Sequence, residues 1–327
     1  MFKKQVGMIT VGLLCLLVAL PAFAKNMVFR SADTHAKDYP TVQAVMHMSS
    51  LLEKWTDGRM KIKIFPGRQL GEEKATIEQT IAGAINLNRV NLAPLNSFIP
   101  ETAIPALPYI FRSSEHMYKV MGGDIGREIL DAMIPHGLVG LAYYDSGARS
   151  FYNSKRAIKS PADMKGMKIR VQNSDLFVAT MEALGANATP MEFGQVYEAL
   201  KTGVIDGAEN NWPSYESTRH FEVANHYSLD QHSMSPEVLV MSKITWDKLS
   251  KEDQDLVRKA AVESVQVMRD LWNQRVEKSK KIVMANGNEV IDNVDKQPFI
   301  DAMGPVYERF ANTPELKDLV KRIQAVK

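Results

Sequence analysis

The sequence predicts an α/β protein of two similar lobes, and three observations carry that expectation. Strand-like and helix-like patterns alternate along the chain. A helix–glycine–x–isoleucine pattern occurs twice, in "IEQTIAGAIN" at 77–86 and "VYEALKTGVID" at 196–206, with Gly83 matching Gly203 and Ile85 matching Ile205. Roughly 300 residues follow an N-terminal leader, more than one comfortable core holds.

The leader comes first. "MFKK" is a basic start, "VGMITVGLLCLLVALP" an apolar stretch, and Ala22-Phe23-Ala24 a small-x-small cleavage site, the pattern of a signal peptide over 1–24. The mature protein is expected in the periplasm. The single cysteine, Cys15, lies in the leader behind Leu13-Leu14, without the small residue a lipidation site needs. The mature chain then has no thiol, which excludes disulfides and cysteine-based metal or redox chemistry. Losing Lys3 and Lys4 takes Lys+Arg from 40 to 38, against 38 Asp+Glu. A neutral chain without a basic stripe argues against nucleic-acid binding.

Next, "NMVFRSAD" reads as a strand, and Pro40 opens a helix in which Val42, Val45, Ser49 and Leu52 share one face. The strand "MKIKIF", the turn "PGRQLG", the helix "EEKATIEQTIAG" and the strand "AINLNRVN" complete a β-α-β-α-β unit. Residues 100–135 are proline-rich, then helical. "LVGLAYYD" and "ARSFYNS" read as strands around a turn, and "SPADMKG" as a capped turn before the strand "MKIRV". A helix, the short strand "NATPM", the helix "EFGQVYEALKTG" and the strand "VIDGAEN" follow. After the strand "PEVLVMS" comes a helix of roughly thirty residues ending at Gly287, then two short helical segments. Because "MKIKI" (60–64) and "MKIRV" (167–171) are nearly identical, they are read as equivalent strands of the two lobes. Lobe boundaries are expected at 25–147 plus about 236–275, and 148–235 plus about 276–327.

Open α/β sheets bind ligands at the carboxyl ends of their strands, and two facing lobes make a cleft there. Arg170 and Asn173, Asn88 to Asn91, and Glu209-Asn210-Asn211 all fall at or along such strands. Other patterns lead nowhere. "GGDIGRE" opens no phosphate loop, and His220, His226 and His232, six apart, fit no metal signature. No pair of groups can be assigned as converging acid and base, so no catalytic residue, metal or cofactor is expected.

Five blocks, "FPGRQLGEEKATIEQTIAGAI", "LPYIFRSSEHMYKV", "RSFYNSKRAIKSPADMKGMKIRVQNSDLF", "ATPMEFGQVYEALKTGVIDGAENNWPSY" and "WDKLSKEDQDLVRKAA", span the mature chain. Together they resemble the solute-binding subunit of a tripartite ATP-independent periplasmic (TRAP) transporter. The resemblance implies a periplasmic-binding-protein (Venus-flytrap) fold of two α/β lobes with a long C-terminal hinge helix, closing on a small organic anion. It implies a carboxylate clamp at Arg170, a second arginine at Arg149, ligand contacts at Asn173, Asn210 and the neighbouring Asn211, and an aromatic at Phe193. Glu73 and Asn91 come from the first lobe by the same alignment. "SADTHAKDYPTV" resembles the subgroup binding sugar acids, hexuronates above all, with His35 and Asp38 on hydroxyls and Asn88 and Arg89 adding to the polar lining. A plain dicarboxylate or 2-oxo acid would leave several of these groups unpaired. The implied partners are membrane permease subunits, with the receptor acting as a monomer. The rival readings are a dicarboxylate or 2-oxo-acid binder, a secreted lyase or hydrolase of acidic sugars, and a sensory binding subunit.

Overall fold

The computed structural model describes residues 26–327, so the leader, its cleavage site and Cys15 lie outside the described residues. Eleven strands are described: β1 Met27–Ala32, β2 Met60–Phe65, β3 Leu87–Asn91, β4 Leu138–Tyr144, β5 Arg149–Asn153, β6 Lys168–Val171, β7 Asn187–Pro190, β8 Gly207–Asn210, β9 His226–Ser233, β10 Glu237–Ser242 and β11 Glu289–Ile291. They form two sheets, ordered β2-β1-β3-β10-β4 and β11-β9-β5-β8-β6-β7. The chain passes from the first sheet to the second between β4 and β5, returns between β9 and β10, and passes over once more between β10 and β11. This is the two-lobed α/β architecture that the sequence predicts.

The helix Pro40–Trp55 starts at its proline, and Val42, Val45, Ser49 and Leu52 are all buried. Its apolar face packs with Phe29 and Ile62 of the first sheet and with Val257, Ala260, Ala261 and Met268 of the long helix Lys251–Ala285. Ser250 caps that long helix by accepting from the Asp253 amide. Burying a leucine or valine in this seam stabilises it by about 1.5–3 kcal/mol each. Farther along the same helix, Arg275 holds Asp38 beside the first sheet and Glu216 beside the second, so one helix braces both halves. The C-terminal helix Pro314–Ala325 packs back on 100–132: Arg112 donates to the Gln324 and Val326 carbonyls, and Arg322 pairs with Glu128. Among the described residues no helix is long and apolar enough to cross a membrane.

Two features depart from the expectation. β9 and β11 were not foreseen, because "HYSLDQHS" is too polar to read as a strand. Gln231 adopts φ +52° where the β5–β9 pairing is irregular, and Asp230 and His232 on either side of it are buried. The second departure concerns the paired pentapeptides. Gly83 and Gly203 do match: each has a left-handed backbone (φ +80° and +72°) and leads into an inner strand, β3 or β8. The "MKI" strands do not. β2 is the edge of its sheet, whereas β6 lies between β7 and β8, parallel to both, as β1 lies between β2 and β3. The counterpart of "MKIRV" is therefore β1. The alternation the pentapeptides share records a half-buried strand, not a shared position.

Candidate functional site

Register places the polar residues on one edge of each sheet. β1, β3, β6 and β8 point their carboxyl ends there, and the antiparallel β10 and β5 bring their first residues, Glu237 and Arg149, to the same edge. The two edges face each other around a small, narrow cavity. Thr34, His35, Glu73, Asn91 and Glu237 line it from the first sheet's side. Arg149, Arg170, Gln172, Phe193, Asn210, Asn211 and Ser214 line it from the second's. Directly across the cleft, the Tyr39 hydroxyl and Ser214 Oγ are 2.9 Å apart.

Arg170 is 4% exposed. Its Nε and Nη2 donate to the Met191 carbonyl at 2.9 and 2.6 Å, and it makes no hydrogen bond to a carboxylate among the described residues. The guanidinium stands 5.9 Å over the Phe193 ring, and burial holds its pKa below the usual arginine value. A buried cation with only carbonyl and ring partners is under-compensated. Arg149 differs. Its Nε and Nη2 grip Glu209 at 2.5 and 2.7 Å, and Nη1 donates to Asn210 Oδ1 at 3.1 Å. Burial would raise the Glu209 pKa, but Arg149 and the nearby His232 outweigh it and bring it to about 2. The side-chain nitrogens of Asn210 and Asn211 have no acceptor among the described residues; the oxygen of Asn211 caps the Ser214 amide.

The opposite wall is acidic. Asp33, Glu73 and Glu237 surround Arg89. Arg89 donates to Asp33 through Nε (3.0 Å) and Nη2, while its Nη1 is 3.3 Å from Glu237 and 3.8 Å from Glu73. Burial pushes Glu237 up to about 8; Arg89 opposes the shift, and Asp33 and Glu73 add to it. Glu73 is raised for the same first reason, although it accepts from the Asn91 amide at 2.7 Å. Asn91 Oδ1 and Glu237 Oε2 are buried without a hydrogen-bond donor among the described residues. His35 stacks on Tyr39 (3.7 Å, 6°) and meets Phe193 edge-on. Burial, with Arg89 next, keeps its pKa well below the ordinary value, so it is neutral.

The cavity thus gathers eight of the twelve residues read from the sequence: Arg170, Arg149, Asn210, Asn211, Phe193, Asn91, Glu73 and His35. Four stand elsewhere. Arg89 is buried behind the wall, committed to the carboxylates. Asn88, one residue earlier on β3, bonds to Thr80. Asp38 is 70% exposed and holds Arg275, and Asn173 donates to Glu192 at 2.9 Å, outside the lining. For Asn88 and Asp38 the reason is local: strand alternation turns Asn88 away, and the turn before Pro40 points Asp38 to solvent. Sequence reading missed Thr34, Gln172, Ser214 and Glu237. The last left a signal, a lone acid opening the otherwise apolar "EVLVMS" strand.

Residues 31–313 match the bacterial extracellular solute-binding proteins of family 7. A solute-binding protein from Chromohalobacter salexigens is 39% identical over 308 residues, covering 94% of this chain and 92% of the relative. Among solved structures, a TRAP periplasmic solute-binding protein from Bradyrhizobium sp. BTAi1, in complex with D-galacturonate, is 58% identical with a TM-score of 0.90. The match covers 91% of this chain and 99% of that one. A protein of the same kind from Chromohalobacter salexigens, with bound D-glucuronate, is 40% identical with a TM-score of 0.89, covering 91% and 100%. The two-lobed fold, the polar cleft and these likenesses agree: the chain belongs to the bacterial extracellular solute-binding protein family 7, the DctP family of TRAP solute-binding proteins.

Proposed function

We propose that this protein is the periplasmic receptor for a hexuronate, glucuronate or galacturonate, and hands it to the membrane permease of a TRAP transporter as a monomer. The observation that carries the reading is Arg170, a buried guanidinium facing the cavity without a carboxylate partner. A ligand carboxylate supplies the missing charge through two parallel hydrogen bonds, which lysine cannot match. Arg149, with Glu209 fixing its plane, presents its Nη1 edge to the same carboxylate. The unpaired Asn210 and Asn211 amides and the orphan Asn91 oxygen suit ring hydroxyls. The bound hexuronates of the structural relatives support the same choice.

Capture is by closure. The lobes, 25–147 plus about 236–275 and 148–235 plus about 276–327, rotate about the three crossings, and the ligand stabilises the closed state through contacts to both. The role is binding, not turnover. Calorimetry against D-glucuronate, D-galacturonate, succinate and 2-oxoglutarate tests the reading. Micromolar or tighter binding of a uronate, with at least about 100-fold weaker binding of the others, is expected. A preference for succinate or 2-oxoglutarate, or release of product from a uronate, would overturn it.

A further inference from the structure

The strand registers set the two walls in residue-by-residue correspondence. With Gly83 matched to Gly203, Leu87 falls on Gly207, Arg89 on Glu209 and Asn91 on Asn211. β10 pairs with β3 so that Glu237 opposes Asn91. β5 pairs with β8 so that Ser150 opposes Asn210, which sets Arg149 opposite Asn211. Glu237 is therefore the counterpart of Arg149, each opening the antiparallel strand of its sheet. The pairs they make are inverted in sign: Arg149 on Glu209 in one wall, Glu237 on Arg89 in the other.

The inversion gives the cleft a polarity. The second wall offers cations and amide donors. The first offers acceptors, among them Glu237 Oε2, which is 3.3 Å from Arg89 Nη1 but outside hydrogen-bonding geometry, so that both atoms lack a hydrogen-bond partner among the described residues. Three carboxyl groups already share the single guanidinium of Arg89. No positive charge remains there for another anion. A hydroxyl, in contrast, brings the hydrogen that the orphan oxygens lack.

We propose that Glu237 is the specificity-determining residue of the cleft, accepting a hydroxyl of the ligand at the end remote from its carboxylate and shutting out molecules with a second carboxylate there. The proposal rests on the hexuronate reading and deepens it, assigning the acid anion to the Arg170 wall and the sugar's hydroxyl end to the Glu237 wall. A carboxylate at that end would stand against three acids in a buried site, where like-charge contacts cost several kcal/mol. It would also leave Asn91 Oδ1 without a donor.

The test compares D-glucuronate with D-glucarate, which differ by oxidation of the C1 aldehyde to a second carboxylate, by calorimetry at pH 9, where Glu237 is ionised. The wild type is expected to favour glucuronate by about 100-fold or more. Glu237→Gln keeps the shape but removes the acid, and is expected to narrow that preference by about tenfold or more while weakening glucuronate itself. Glu237→Thr, shorter and neutral, gives a second reading should the glutamine variant fail to fold. Wild-type binding of glucarate within tenfold of glucuronate overturns the proposal, and so does an undiminished preference in a folded variant. A wild type that binds no uronate at all refutes the functional reading and takes this inference with it; the other outcomes leave that reading standing.

Discussion

Arg149 and Glu209 form a bidentate ion pair with neither side chain more than 2% exposed, and His232 Nε2 approaches the same carboxylate at 3.4 Å. Removing one member of such a group strands the others in a low-dielectric interior. Glu209→Ala is therefore expected to destabilise the ligand-free protein by about 3–5 kcal/mol, read from urea denaturation. A loss under about 1 kcal/mol would show that water reaches the pair and does the work of the carboxylate.

Arg170 should behave differently because no side-chain carboxylate depends on it. Arg170→Lys keeps a charge but loses the planar fork, and is expected to weaken uronate binding by about 1.5–3 kcal/mol, roughly 10- to 150-fold. Its ligand-free melting temperature should stay within a few degrees of wild type. Calorimetry showing unchanged affinity would remove Arg170 from the clamp.

Stability should fall as pH rises from about 5 to 9. His232 is driven up to about 9: burial disfavours its charge, but Asp230 and Glu209 prevail. A histidine raised above its unfolded value near 6.5 contributes stability that is full below 6.5 and lost as pH passes 9. Glu237, raised to about 8, likewise favours folding at low pH and loses its contribution between about 4.5 and 8. Melting curves across this range are expected to slope downward, and His232→Gln should flatten the part above pH 6.5. A variant retaining the full slope would place the titration elsewhere.

The 2.9 Å contact between Tyr39 and Ser214 joins the two walls, so it is expected to break as the cleft opens. Tyr39→Phe keeps the stacking on His35 and deletes the hydroxyl. Ligand affinity should drop by about 0.5–1.5 kcal/mol, roughly 2- to 12-fold. The change should appear as faster dissociation in stopped-flow traces, with the unfolding midpoint of the ligand-free protein unmoved. An unaltered dissociation rate would mean that the bond is absent from the liganded form.

Much of this was legible in the sequence because period and punctuation record burial directly. Pro40, Gly83, Gly203 and the apolar stripe at Val42, Val45 and Leu52 each mark a backbone or packing demand that few residue types meet. The Arg170 wall was legible for the same reason, since strand residues keep their direction. What was hidden depends on pairing partners far along the chain. Nothing local distinguishes β2 from β6, yet hydrogen bonding to different neighbours sends one to an edge and the other inside. Arg89 reads as a lining residue from its strand alone, but Asp33, 56 positions away, holds it behind the wall. Glu237 stayed unseen because the strand that carries it joins the first sheet only after the chain has built most of the second.

That late insertion governs how the protein must be made. β10 lies between β3 and β4, antiparallel to both, so the first sheet has a gap at its centre until residue 242 is available. A chain emerging residue by residue would expose the facing edges of β3 and β4 throughout the synthesis of everything between them, an invitation to wrong pairing. Neither half can be expressed alone as a contiguous piece: a fragment ending near residue 147 lacks its central strand, and one beginning there carries a strand that belongs to its neighbour. Were residues 1–24 to serve as the export signal that their sequence predicts, this would be an advantage, because a polypeptide that cannot finish its first sheet early stays threadable until it is across the membrane.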